Sequence, residues 1–107
     1  MRSAADFTLV RRSGLKSGRA TVVVTVAVTG DALRMVGFAV SRAVGGAVVR
    51  NRVKRRLRPI MRDELATLPG GARVLVRALP AAADADYSQL HRDVAGALHS
   101  AHDKALT

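Results

Sequence analysis

Between Thr21 and Thr29 the chain reads Thr-Val-Val-Val-Thr-Val-Ala-Val-Thr. Branching at Cβ restricts side-chain rotamers in a helix but suits the pleated surface of a strand, so this run predicts β-structure. Its period of two places Val22, Val24, Val26 and Val28 on one face and Thr21, Val23, Thr25, Ala27 and Thr29 on the other. The all-valine face is expected in the core, and the threonine-bearing face is expected to be half wet. A strand patterned this way needs neighbours along its edges and a layer of helices over its apolar face.

The remaining sequence supplies candidates for both. Gly30-Asp31 is a turn signal leading into a second apolar stretch, Leu33 to Ser41, so the two runs predict an antiparallel hairpin closed off by Gly45-Gly46. Upstream, a cap at Ser3, the helical spacing of Phe7 and Val10, and the Gly14 to Gly18 stretch as a stop predict a short N-terminal helix. Leu68-Pro-Gly-Gly71 is a turn, and Ala72 to Leu79 is a third strand with Val74 and Val76 alternating against Arg73, Leu75 and Arg77. After Pro80, Asp86 and Gln89 form a helix-capping signal, and Tyr87, Leu90, Val94, Leu98, Ala101 and Ala105 keep one face to the C-terminus. With 107 residues and no cysteine, there is room for one domain, residues 1–107, with one small core and no disulfide framework. The fold class that follows is α+β, a single mostly antiparallel sheet packed against helices.

Charge is distributed unevenly. Of the formal net charge of +10, residues 50–62 carry seven basic side chains and no acidic one, whereas residues 63–107 carry a small acidic excess. A helix over residues 48–65, turning about 100° per residue, gathers Val49, Val53, Leu57 and Ile60 into one apolar stripe and fans the cations over the remaining surface. Pro59 is expected to kink or restart it. A solubilising surface mixes both signs, whereas Arg50-Asn-Arg-Val-Lys-Arg-Arg-Leu-Arg58 places six like charges in nine residues. The partner that suits such a segment is a polyanion, because guanidinium forks grip phosphate oxygens and binding releases condensed counterions. Asn51 adds a group that can both donate to and accept from a base edge or a sugar hydroxyl.

Other motifs carry less. Val36-Gly-Phe-Ala-Val40 echoes the base-stacking strand of RNA-recognition domains, but its second aromatic position is Val40, and Phe38 reads as core. Gly14 to Gly18 has the wrong spacing for a phosphate loop and precedes a strand. His91, His99 and His102 are expected on the surface of the last helix, with no carboxylate spaced to complete a metal site. No carboxylate pair, and no Ser with a base partner, suggests a catalytic group, so no catalytic and no metal-binding residue is assigned. Thr21 to Thr29 is too short to span a bilayer, and Arg-Ser-Ala-Ala-Asp after Met1 does not resemble a secretory signal. The cytoplasm is the expected location, with no membrane and no small-molecule substrate.

Gly37-Phe-Ala-Val-Ser-Arg-Ala-Val-Gly-Gly-Ala-Val-Val-Arg-Asn-Arg-Val-Lys-Arg-Arg-Leu-Arg58 closely resembles the signature of the bacterial ribonuclease P protein component. Asp6-Phe7 with Gly14, Arg73 to Pro80, and Asp86-Tyr87 extend the resemblance over nearly the whole chain. The resemblance implies the small basic subunit of a ribonucleoprotein that removes 5′ leaders from precursor tRNA. In that particle the catalytic entity is RNA, magnesium is mainly RNA-bound, and the protein is not catalytic alone. It implies two partners, ribonuclease P RNA and precursor tRNA. Arg50, Asn51, Arg52, Lys54, Arg55 and Arg58 would contact RNA, with Ser41 and Arg42 leading into that helix. Phe7, Arg11 and Thr25 would line a cleft for the single-stranded leader, between the first helix and the open sheet face. Arg11 and Thr25 stand where relatives often carry aromatics, which implies weaker base stacking. Ala43 and Gly46 replace a usual Lys and Asn. The resemblance also implies a left-handed β-α-β crossover, which periodicity does not reveal. The alternative weighed against it is a ribosomal-protein-like structural RNA binder with no part in cleavage; a self-sufficient nuclease is the further rival.

Overall fold

The valine run forms the strand β2, Val22–Val28, and lies inside a four-stranded sheet. The computed structural model describes residue 10 and residues 12–29, 34–68 and 70–106. The other strands are β1 (Leu15–Gly18), β3 (Met35–Ala39) and β4 (Ala72–Ala78), and the order across the sheet is β1-β2-β4-β3. Two helices, α1 (Ala47–Leu65) and α2 (Tyr87–Leu106), and a 3₁₀ turn at Pro80–Ala83 complete the described elements.

The expected hairpin between Thr21–Thr29 and Leu33–Ser41 does not form. β2 pairs antiparallel with β1 on one side and β4 on the other, while β3 runs parallel to β4 at the far edge. A parallel neighbour needs a crossover, and α1 supplies it between β3 and β4. Alternation reports that a segment is extended and which face is apolar; it says nothing about which strand lies beside it. β1 falls where a helix stop and turn were expected, since four residues ending in glycine carry too little pattern to announce a strand. Gly45-Gly46 leads into α1, with Gly46 at its N-cap.

Register divides the residues between two faces. Val22, Val24 and Val26 sit opposite Ala78, Val76 and Val74 of β4, and all six are buried under α1 and α2. Val28, at the strand end, is 41% exposed. From α1 the core takes Val53, Leu57, Ile60 and Met61, and from α2 it takes Leu90, Val94, Ala97, Leu98 and Ala101. Phe38 lies opposite Val76 and packs against this cluster, as its reading as core requires. α1 runs through Pro59 without a restart; its buried stripe on both sides of the proline, Val53 and Leu57 before it and Ile60 and Met61 after it, holds the helix against the sheet.

The threonine-bearing face is drier than its composition suggests. Thr25 is only 5% exposed on that face; Thr21, just before β2, is buried against α2 instead, its hydroxyl donating to Asp93 Oδ2 at 2.7 Å. Val10, Ala27 and Leu75 form a second buried cluster on the Thr25 side. Gly14 allows this closeness: its amide donates to the Val10 carbonyl, and a β-carbon on it would overlap that oxygen and the Thr25 methyl. Val10, Arg12 and Ser13 are helical, while Ser3 and Phe7 of the expected N-terminal helix lie outside the described residues.

Asp86 caps α2 as its spacing predicts, accepting from the Gln89 amide at 2.8 Å. Tyr87 is exposed instead of joining the buried face, and it meets His91 edge-on. The histidines do not share one environment. His91 and His99 approach the two oxygens of Glu64 at 3.1 and 3.3 Å, bridging α2 to α1, whereas His102 is buried, contrary to the expectation of a surface residue. Two turns of helix separate His91 from His99, which lets both rings close on one carboxylate projecting from α1.

Candidate nucleic-acid interface

The apolar stripe of α1 faces the sheet, so the opposite surface of the same helix faces outward. Asn51, Lys54, Arg55 and Arg58 recur at intervals of three and four and therefore form one row. With Val48 they line a shallow groove of about 380 Å³. Val48 is 78% exposed, an apolar side chain set among cations. Among the described residues no carboxylate pairs with Lys54, Arg55 or Arg58. Unneutralised positive charge packed along one helix is self-repulsive and favours a polyanion laid across it.

The other cations of the segment are placed differently. Arg52 Nη2 donates to the Ala83 carbonyl at 3.0 Å, and Arg56 Nη1 donates to the Ala85 carbonyl at 2.9 Å. Arg50 is half-buried, and its Nε is enclosed without a hydrogen-bond partner among the described residues. Ser41 and Arg42 are exposed on the connection into α1, where Ser41 accepts from the Val44 and Ala43 amides and so shapes the turn. Arg34 donates to the carbonyls of Leu65 and Leu68, both at 3.0 Å, and so ties β3's start to the C-terminal end of α1, where Leu65 also accepts from the Leu68 amide.

A second concavity, of about 350 Å³, opens on the sheet face away from α1 and α2. Lys16 and Thr25 face one another across β1 and β2, Arg77 and Val23 across β4 and β2, and Ala39 and Leu75 close it. Of the three residues expected in the leader cleft, Thr25 lines this concavity, whereas Phe7 and Arg11 lie outside the described residues. Lys16 and Arg77 were not singled out by the sequence. Their only signal is alternation: each projects from its strand to the side opposite the core, and the register needed to unite them is not local. No aromatic lines this concavity among the described residues.

Among the described residues no group of three or more His, Asp or Glu side chains is arranged to hold a metal ion, and no helix is long and apolar enough to cross a membrane. An α+β sheet with a β-α-β crossover, whose connecting helix carries a row of cations with no carboxylate partner among the described residues, is the architecture of a small basic protein suited to a polyanion. The family model for ribonuclease P matches residues 1–102. The ribonuclease P protein component of Streptomyces griseus is 50% identical over 107 residues, covering 92% of this chain and 87% of that protein. That of Kocuria rhizophila is 46% identical over 101 residues, covering 94% and 89%. Among solved structures, the RNase P protein of Staphylococcus aureus superposes with a TM-score of 0.83 at 24% identity, over 94% of this chain and 93% of that one. The RNase P protein from Thermotoga maritima does so with a TM-score of 0.76 at 24% identity, over 88% and 89%. The chain belongs to the ribonuclease P protein component family and is the protein part of an RNA-based endoribonuclease. The rival reading as a ribosomal-protein-like binder is set aside by that membership.

Proposed function

We propose that the chain binds ribonuclease P RNA through the outward row of α1 and the 5′ leader of precursor tRNA through the open sheet face, so assisting removal of the leader. The observation that carries this reading is the row Asn51, Lys54, Arg55 and Arg58, cationic, outward and without a carboxylate partner among the described residues. Arg50, Arg52, Ser41 and Arg42 border it. Four side chains in one band along about 10 Å of helix are placed to meet neighbouring phosphates of a folded RNA.

At the second surface, Lys16 and Arg77 flank Thr25, and the floor is small and apolar. Two cations across such a floor favour the phosphodiester backbone of a single strand over stacking on its bases. Phe7 and Arg11 belong to this proposal as further leader contacts. Magnesium is assigned mainly to the RNA, whose phosphates supply the hard oxygen ligands it prefers. The cytoplasm, where precursor tRNA is processed in bacteria, is the proposed location.

Reconstitution tests the reading. Precursor tRNA is incubated with the protein, with ribonuclease P RNA, and with both, at low magnesium. Faster release of the leader with both than with RNA alone supports the proposal; an RNA rate unaffected by the protein, or cleavage by the protein alone, overturns it.

A further inference from the structure

The basic segment of α1 divides into two rows with different partners. Asn51, Lys54, Arg55 and Arg58 face outward, whereas Arg52 and Arg56, one turn apart, both turn towards the chain between β4 and α2. There Arg52 meets the carbonyl of Ala83, the last residue of the 3₁₀ turn, and Arg56 meets that of Ala85, the residue before the α2 cap. The Ala83 carbonyl, at the end of a helical turn, has no partner within it, and Ala85 lies in the irregular link before α2, so each takes a donor from outside its own segment. Ala82 and Ala85 are buried in this junction, which fixes the backbone that carries the two carbonyls.

We infer that Arg52 and Arg56 are positioning residues: a two-point guanidinium clasp that locks α1 to the connection leading into α2 and so sets the direction in which the outward row meets RNA. Planar guanidinium suits the task, because it donates in a fixed direction and stays charged. The clasp acts at one side of α1, and Arg34 fixes its C-terminal end through Leu65 and Leu68. Together they hold the helix at places the hydrophobic stripe does not reach. Within the segment, then, two of the six cations of residues 50–58 serve the protein and only indirectly the RNA.

The inference rests on the proposed RNA-facing role of α1, and the experiment separates failure of one from failure of the other. Amide hydrogen exchange is measured on the free full-length protein for Arg52→Ala, Arg56→Ala and Arg55→Ala. Exchange at Ala82, Gln89 and Leu90, whose amides are bonded within the junction, is expected to rise up to about tenfold in the first two variants and to stay unchanged in the third. The strand amides of β4 serve as the control for global unfolding. Affinity for ribonuclease P RNA is then measured against salt. Arg55→Ala is expected to lower the slope of log Kd against log salt by about one unit, while Arg52→Ala and Arg56→Ala weaken binding with the slope retained. Unchanged exchange at the junction, or a slope reduced in Arg52→Ala as much as in Arg55→Ala, overturns the clasp. A slope unaltered in Arg55→Ala, with faster junction exchange in the other two, keeps the clasp and overturns the RNA-facing row.

Discussion

The two cationic surfaces are built in opposite ways. The row on α1 comes from residues within eight positions of one another, and it exists as soon as the helix does. The concavity on the sheet joins Lys16 to Arg77 across three strands, and it exists only when β1, β2 and β4 are in register. The difference teaches how each surface fails. Loss of one cation from that outward row removes one contact and leaves the scaffold, whereas a fault in the sheet removes the whole concavity.

The largest effect is therefore expected at the sheet. Val24 is fully buried between Ser17 and Val76, and Val24→Asp leaves an unpaired carboxylate there, a loss of about 3–5 kcal/mol that is expected to abolish the cooperative thermal transition. A variant melting like the parent protein contradicts the assigned register. Thr25→Asp, one residue away, is also destabilising because Thr25 is buried, but less so: the new carboxylate lies opposite Lys16 at the wall of the open concavity. A fall of about 1–3 kcal/mol in denaturant unfolding is expected; equal losses at both positions erase the distinction between the faces. Gly14→Ala tests how the N-terminal segment is seated, since its β-carbon collides with the Val10 carbonyl and Thr25. Overpacking of this kind costs about 1–3 kcal/mol, and the melting temperature is expected to drop while the α1 row keeps its salt dependence for RNA.

Smaller effects concern binding alone. Arg58→Ala is expected to change stability by within about 0.5 kcal/mol and to lower the salt slope of RNA binding by about one unit. A fall in melting temperature without a change of slope moves Arg58 from the interface to the scaffold. Smallest of all, Lys16→Ala or Arg77→Ala is expected to weaken binding of leader-bearing precursor by about 0.2–1 kcal/mol each relative to mature tRNA, the scale of an exposed ion pair. Equal losses for both RNAs detach the concavity from the leader.

From the sequence alone came the α+β class, the valine face of β2, the apolar and cationic sides of α1, and the Asp86 cap of α2. Each follows from a pattern a few residues long, because backbone conformation and side-chain direction repeat every two or 3.6 residues. Tertiary structure decided which strands are neighbours, that Thr25 and His102 are buried, and that Arg52 and Arg56 meet the carbonyls of Ala83 and Ala85. A strand edge is satisfied by any partner whose backbone comes within reach, so alternation in β2 and β3 leaves their pairing open. An arginine in a basic run looks the same in sequence whether its guanidinium meets solvent or a carbonyl about thirty residues away, and only the packing of α1 against the β4–α2 connection distinguishes the two.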